Sequence, residues 1–365
     1  MKPLLIAAAS LAACSSPEPV NNETRVEAAA NLVTQEPSAG PAVSTAAAAP
    51  ARPGELKTFR DWTVGCDNGL RCTMASLGPE AGDFPAMTVA LTRAAGPDGG
   101  YEIALEGLED ATPRPEAIVI DGRRFAIAGD GLSGDSAAQV AAALANGRLM
   151  AIHGAGNSTI ATVSTAGASA ALRYIDATQG RVNTVTATVA KGAQQPVSVP
   201  RPPALPVIAA VTVSGKPATP TATQLAQMRK TGKCEGMAVE QSDLFKPDTH
   251  ALGGGKTLVM VPCSSGAYNL FAALFVLEDG KFSQAKTDAE TGFAENADVT
   301  EVVNGEWDGE TLKTYAKGRG LGDCGVAQSF VWDGARLRLT EQSEMDECRG
   351  NPNYITTWRA RVKRK

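Results

Sequence analysis

The chain has 365 residues, a formal net charge of −5 and a sequence pI near 5.3, with 43% hydrophobic and 5% aromatic residues. That length suffices for two domains of ordinary size. The acidic balance and the scarcity of aromatics argue against nucleic acid as a partner, because nucleic-acid binders carry a basic face.

The chain opens with MKPLLIAAASLAAC: one lysine at position 2, then an apolar or small run from Leu4 to Ala13. Such a run is too short for a bilayer-spanning helix, which needs about 20 residues. It matches the apolar region of a secretory signal peptide, so residues 1–13 are expected to be removed. The run ends in Leu11-Ala12-Ala13-Cys14 followed by Ser15, which resembles the bacterial lipobox. That resemblance implies thioether lipidation of Cys14 and, with Ser15 next, sorting to the outer membrane with the folded part facing the periplasm. Residues 14–55 are rich in Ala, Pro, Ser, Glu and Thr. They hold too little apolar surface to offset their ordering entropy and read as a lipidated, disordered linker. A flexible coil of about 40 residues would reach roughly 35 Å.

Residues 56–192 read as a β-rich domain with two helices. MTVALTR and YEIALEG alternate apolar and polar residues, with Met87, Val89 and Leu91 on one face and Tyr101, Ile103 and Leu105 likewise. Cys66 and Cys72 flank an Asn68-Gly69 turn signal, and Asp121-Gly122 marks a two-residue hairpin. DSAAQVAAALANG predicts a helix capped by Asp135 and stopped by Gly147. AGASAALRYIDATQG predicts a second, with Ala168, Ala171, Leu172 and Ile175 on its buried stripe and Gly180 as its stop. Around that helix, Arg173, Asp176 and Arg181 are expected to be exposed, with Arg173 and Asp176 spaced as a surface pair. VNTVTATVA then predicts a strand with Val185, Ala187 and Val189 inward. The proline-rich run 193–206 is the expected linker.

Residues 207–365 read as a second β-rich domain. Thr221 and Gln224 have capping-box spacing before a helix that Gly232 should end. Hairpin turns are expected at Asp279-Gly280, Asp308-Gly309 and Asp333-Gly334. The terminal YITTWRARVKRK predicts one half-buried strand: Tyr354, Thr356, Trp358, Ala360 and Val362 inward, and Thr357, Arg359, Arg361 and Lys363 on a basic outer stripe. Arg359, Arg361 and Lys363 are the candidate contacts for an anionic partner such as lipopolysaccharide phosphate or an acidic protein. Overall the expectation is a mainly β fold of two antiparallel β-rich domains, each a sandwich or barrel, with a few short helices.

Motifs that suggest chemistry fail on context. HALGGGKTLVMVPC has P-loop residue types, but His250 stands where the first glycine belongs, a strand rather than a helix follows Thr257, and no buried strand is expected before it. GLGDCG at 320–325 fits G-x-G-x-x-G, yet a hairpin follows, so a bend that brings Cys324 to Cys348 is the expectation. No G-x-S-x-G is present, and neither His153 nor His250 has a flanking triad pattern. Glu341, Glu344, Asp346 and Glu347 lack calcium-loop spacing and read as a solvated acidic loop. Besides Cys14 there are Cys66, Cys72, Cys234, Cys263, Cys324 and Cys348. Six cysteines in an exported chain suggest three disulfides out of about 15 possible pairings, and the layout favours the local pairs 66–72, 234–263 and 324–348. No metal, nucleotide or other cofactor is expected.

FRDWTVGCDNGLRC, AGASAALRYIDATQGRV, LVMVPCSSGAYN, GRGLGDCG, FVWDG, ECRG and TTWRA together resemble the bacterial envelope family known as domain of unknown function 1176, over roughly 56–361. The DW…C opening and late helix of the first domain are also similar to invasion-associated locus B proteins. These resemblances imply an exported, disulfide-bonded, β-rich protein and supply no catalytic residue. The expectation is a non-enzymatic, periplasm-facing lipoprotein acting as a binding module of the cell envelope. The alternative is an inhibitor of an envelope-attacking hydrolase such as lysozyme, a role served by small disulfide-bonded β lipoproteins. A hydrolase acting on glycans is disfavoured by the missing nucleophile and metal patterns.

Overall fold

Turn chemistry organises the chain into a series of antiparallel sheets. The computed structural model describes residues 49–365, except 82, 108–112, 130, 235–245 and 293–297. The signal peptide, Cys14 and the linker up to residue 48 lie outside the described residues. From Ala48 to Lys365 the chain forms one compact unit.

The first half runs through β1 (Lys57–Phe59), β2 (Trp62–Cys66), β3 (Cys72–Ser76), β4 (Met87–Arg93), β5 (Tyr101–Gly107), β6 (Ala117–Ile120), β7 (Arg123–Ala126) and β8 (Gly131–Ser133). Then follow α1 (Gly134–Leu144), β9 (Met150–His153), β10 (Thr159–Val163) and α2 (Ala168–Thr178). The order β1-β2-β3-β4-β5-β8 makes one sheet and β10-β9-β6-β7 another. One core fills the space between them and the helices, built on Trp62, Met74, Leu91, Ile118, Ile152 and Leu172. The stripe expected on α2 is the buried one: Ala168, Ala171, Leu172 and Ile175 all face that core. Gly167 caps α2 at φ 94°, and a Cβ there would stand 1.7 Å from the Phe59 carbonyl oxygen, so only glycine fits. Asp121-Gly122 turns β6 into β7 with both residues left-handed, as a type I′ turn requires.

The second half comprises β11 (Val207–Ala210), α3 (Ala222–Thr231), β12 (Asp248–Gly253), β13 (Lys256–Ser265), β14 (Leu270–Glu278), β15 (Lys281–Gln284), β16 (Glu301–Val303) and β17 (Glu306–Trp307). It ends with β18 (Leu312–Lys317), β19 (Gly325–Trp332), β20 (Leu337–Met345), β21 (Ile355–Arg359) and β22 (Arg361–Arg364). The sheet β12-β13-β14-β15, with β16 on β14, is buried on both faces. Leu258, Met260 and Leu274 meet the sheet β17-β18-β19-β20-β21, while Val259, Val261 and Phe275 meet Met228 of α3. The capping box at Thr221 and Gln224 is present, and Gly232 caps the other end. The fold is thus mainly β and almost wholly antiparallel; the two-stranded sheet β11-β22 is parallel.

Four local expectations need correction. Ser133, not Asp135, is the cap of α1; Asp135 sits in its first turn. The β2–β3 turn is not of the Asn-Gly type: Leu70 takes the left-handed position, and Asp67 Oδ1 accepts the amides of Gly69 and Arg71. Residues 182–190 form no strand, because the amides of Thr188, Val189 and Ala190 go to the Asp176 carboxylate instead of a neighbouring strand. Val185 is consequently exposed, while Ala187 is buried. The terminal segment is two strands, since Ala360 donates to Thr340 and the chain then leaves β20 to pair with β11.

The two halves share buried contacts. Ala75 and Leu77 pack with Cys324, Met345 and Ile355. Asn351 is fully buried and donates to the Ser76 carbonyl at 2.6 Å. Arg349 reaches Asp61 at 2.6 Å and the Gly78 carbonyl at 2.7 Å. The run 193–206 carries a short 3₁₀ turn, Pro196–Ser198, and buries Val199.

Candidate functional site

The tempting nucleotide loop is a tight hairpin. Gly253, Gly254 and Gly255 all have positive φ, of 84°, 60° and 78°, and they join β12 directly to β13. The strand before the glycines, β12, is exposed or half-buried from Asp248 to Ala251, and a second strand follows them, so no helix N-terminus faces the loop. β13 carries Cys263 to its disulfide with Cys234. The other expected disulfides, Cys66–Cys72 and Cys324–Cys348, are also present. In the GLGDCG bend, Asp323 is almost fully buried, accepts Arg319 Nε at 2.7 Å and accepts the Gly350 amide. Burial raises its pKa, but these bonds and the Arg319 charge outweigh that and hold the carboxyl below its ordinary value.

The two histidines stand on separate strands. His153 ends β9, paired with Ala117 and Thr159. His250 does have an acidic neighbour, Asp248, at 2.7 Å on the same face of β12, and it stacks on Trp307. The i, i+2 spacing of Asp248 and His250 aligns them on one face of the strand.

Asp176 and Arg181, expected on the surface, are fully buried. Asp176 pairs with Arg93 at 3.2 Å rather than with Arg173. Arg93 Nη1 also donates to Tyr101 and Thr188. Arg181 donates to Gln179 Oε1 at 2.8 Å and to the Gly96 carbonyl at 2.6 Å. Burial and then the Arg93 charge pull its pKa down to about 10. This network fastens the segment after α2 onto β4. It has the chemistry of a structural staple.

The basic stripe divides. Thr357 is fully buried: β2 packs against β21, and the Gly54 amide donates to the Thr357 carbonyl at 2.9 Å. Arg359 is held by the first half: its Nε contacts the fully buried Asp67 carboxylate, and Asn68 bonds both its amide and its carbonyl. Arg359 therefore cannot serve as a free partner contact. Replacing it by alanine should lower unfolding stability by about 1.5–3 kcal/mol, the scale of a charged hydrogen bond. A urea midpoint equal to wild type would contradict that role. Beyond Ala360, Arg361, Val362 and Lys363 are exposed, and neither Arg361 nor Lys363 has an ion pair among the described residues. Arg364 pairs with Glu310 at 2.7 Å. Among the described residues β22 has β11 as its one strand neighbour, and its far edge pairs with no strand of them.

The acidic run is half strand and half loop: Asp346 and Glu347 follow the end of β20. Glu341 and Glu344 lie in β20, and Glu344 and Asp346 face a cavity of about 500 Å³. Its opposite wall is the segment 51–56, anchored where the Ala51 amide donates to the Asp288 carbonyl. Burial raises the Glu344 carboxyl above its ordinary range; bonding toward Thr357 partly offsets this, and the charge of Asp346 adds to it. Burial likewise raises Asp346, and the charge of Glu347 contributes.

A family model described as "Protein of unknown function (DUF1176)" matches residues 56–361. An uncharacterized protein of Escherichia coli (strain K12), YpfG, is 29% identical over 347 residues, covering 85% of this chain and 93% of the relative. No solved structure matches the chain.

Proposed function

The chain belongs to the family of unknown function DUF1176, and we propose that it is a non-enzymatic, periplasm-facing outer-membrane lipoprotein that acts as a binding module of the cell envelope. The lipobox-like Leu11-Ala12-Ala13-Cys14 supports the anchor. Three disulfides suit an oxidising compartment. The observation that carries the binding role is the open edge of β22, where exposed Arg361 and Lys363 flank exposed Val362 on a chain of net charge −5. An extended acidic segment of a partner protein adds to such an edge. Backbone pairing supplies affinity and the two cations supply register and charge preference.

Envelopes solubilised in mild detergent and passed over the immobilised folded part test the proposal. The retained partner should elute as salt is raised, since exposed charges are screened within about 8 Å at physiological ionic strength. The Arg361→Ala/Lys363→Ala protein should retain it several-fold less. Retention indifferent to both would reject the edge as the contact. Release by added lipopolysaccharide instead of an acidic peptide would assign the surface to an anionic polymer.

A further inference from the structure

The proline-rich run expected as a linker is laid along the first half as a strap. Its residues 199–206, VPRPPALP, form neither helix nor strand, yet their backbone has little freedom. Pro200, Pro202, Pro203 and Pro206 each fix φ at about −65°. Val199, Arg201, Pro202 and Leu205 each precede a proline, which disfavours the helical region and leaves extended or polyproline backbone. Val199 stands at φ −71° and ψ 128°, inside the polyproline II region.

Packing holds the strap in that shape. A polyproline helix has about three residues per turn, and Val199, Pro202 and Leu205, spaced by three, lie against the first half. Val199 is buried. Pro202 Cδ comes within 3.0 Å of where a Cβ on Gly96 would stand, and Leu205 Cδ2 within 3.1 Å of one on Gly69. At the start of the strap Pro200 Cδ leans on Gly180 in the same way, at 2.9 Å. The outward side is uncommitted. Arg201, Pro203 and Ala204 are exposed, and Arg201 has no ion pair among the described residues. No backbone group from Pro200 to Leu205 makes a hydrogen bond among them either.

We infer that the strap Pro200–Pro206 is a ligand for another protein, one that presents an aromatic-lined groove with a carboxylate placed to meet Arg201. Aromatic rings pack flat on proline rings, and their N–H or O–H groups donate to the free carbonyls, which recur about every 3.1 Å. Arg201 supplies the charge-assisted contact that sets direction along the groove. A loose chain of this sequence would lose conformational freedom on docking; a strap already fastened to the fold loses little, which favours affinity. The surface differs from the β22 edge in chemistry: it offers rings and carbonyl acceptors, whereas β22 offers strand pairing and cations.

A photo-crosslinking residue at Ala204 of the full chain in intact cells, followed by peptide titration of the captured protein, tests the inference. A discrete adduct should form and fall several-fold in Pro200→Ala/Pro203→Ala and in Arg201→Ala. It should be unchanged in Pro217→Ala, an exposed proline outside the strap. The captured protein, once purified, should bind the peptide Val-Pro-Arg-Pro-Pro-Ala-Leu-Pro saturably, with a shift in its own tryptophan emission, since the peptide has no aromatic residue. Val-Ala-Arg-Pro-Ala-Ala-Leu-Pro should bind it several-fold more weakly. No discrete adduct, an adduct indifferent to the strap substitutions, or a captured protein whose emission the peptide leaves unchanged overturns the assignment. So does an adduct that Arg361→Ala/Lys363→Ala abolishes, which belongs to the β22 edge, or one of twice the chain's own mass, which is a second copy.

Discussion

Replacing Asp176 by alanine should cost about 3–5 kcal/mol of folding stability, the range for breaking a buried ion pair by removing one partner. Its carboxylate is fully buried and holds Arg93, itself only 5% exposed, at 3.2 Å. The same two oxygens accept the amides of Thr188, Val189 and Ala190 at 2.8–3.2 Å. Alanine would leave a buried guanidinium without a counter-charge and three amides without acceptors, so the segment after α2 should loosen first. Hydrogen exchange at residues 184–194 together with a urea titration measures both effects. A loss below about 1 kcal/mol would show that solvent reaches Arg93 and that the network is not the staple described. An Arg93→Met/Asp176→Leu pair should recover part of the loss, since the unpaired charge goes, but not all of it, since the amides remain unserved.

Cys14→Ala should move the protein from the membrane fraction to the soluble periplasm. Lipidation of the Leu11-Ala12-Ala13-Cys14 site would place several acyl chains on one residue, and stable anchoring takes more than one chain because a single chain binds only marginally. No helix of the described residues is long and apolar enough to cross a membrane. Fractionation of cells expressing the two proteins reads the outcome directly. Membrane retention of Cys14→Ala equal to wild type would remove lipidation from the account.

Legibility followed the range of the interactions. The Asp121-Gly122 and Asp279-Gly280 hairpins, the Thr221 capping box and the Cys66–Cys72 disulfide are set by neighbours in sequence, and the disulfides Cys234–Cys263 and Cys324–Cys348 close loops of 29 and 24 residues; each stands where its residues point. Asp176 misled because a charged residue three positions after Arg173 reads as a surface pair, while its true partner, Arg93, is 83 residues away. Thr357 and Arg359 misled for the same reason: alternation identifies two faces of a strand but not that β2, some 290 residues earlier, covers one of them. The alternation in VNTVTATVA was real, but a buried carboxylate competed successfully for its amides. The cavity could not be read at all. It needs the segments 51–56, 289–290 and 342–346 together, and nothing local to the acidic run separates a solvated loop from a strand bordering an open cleft.

The central claim is that β22 docks an acidic partner along its free edge. A photo-crosslinking residue at Val362 in intact cells tests it most directly, with Val197, which is 84% exposed in the run 193–206, as the control position. The account predicts a discrete adduct from position 362, lost with Arg361→Ala/Lys363→Ala, and no such adduct from position 197. No discrete adduct at 362, or the same adducts from both positions irrespective of Arg361 and Lys363, would contradict it.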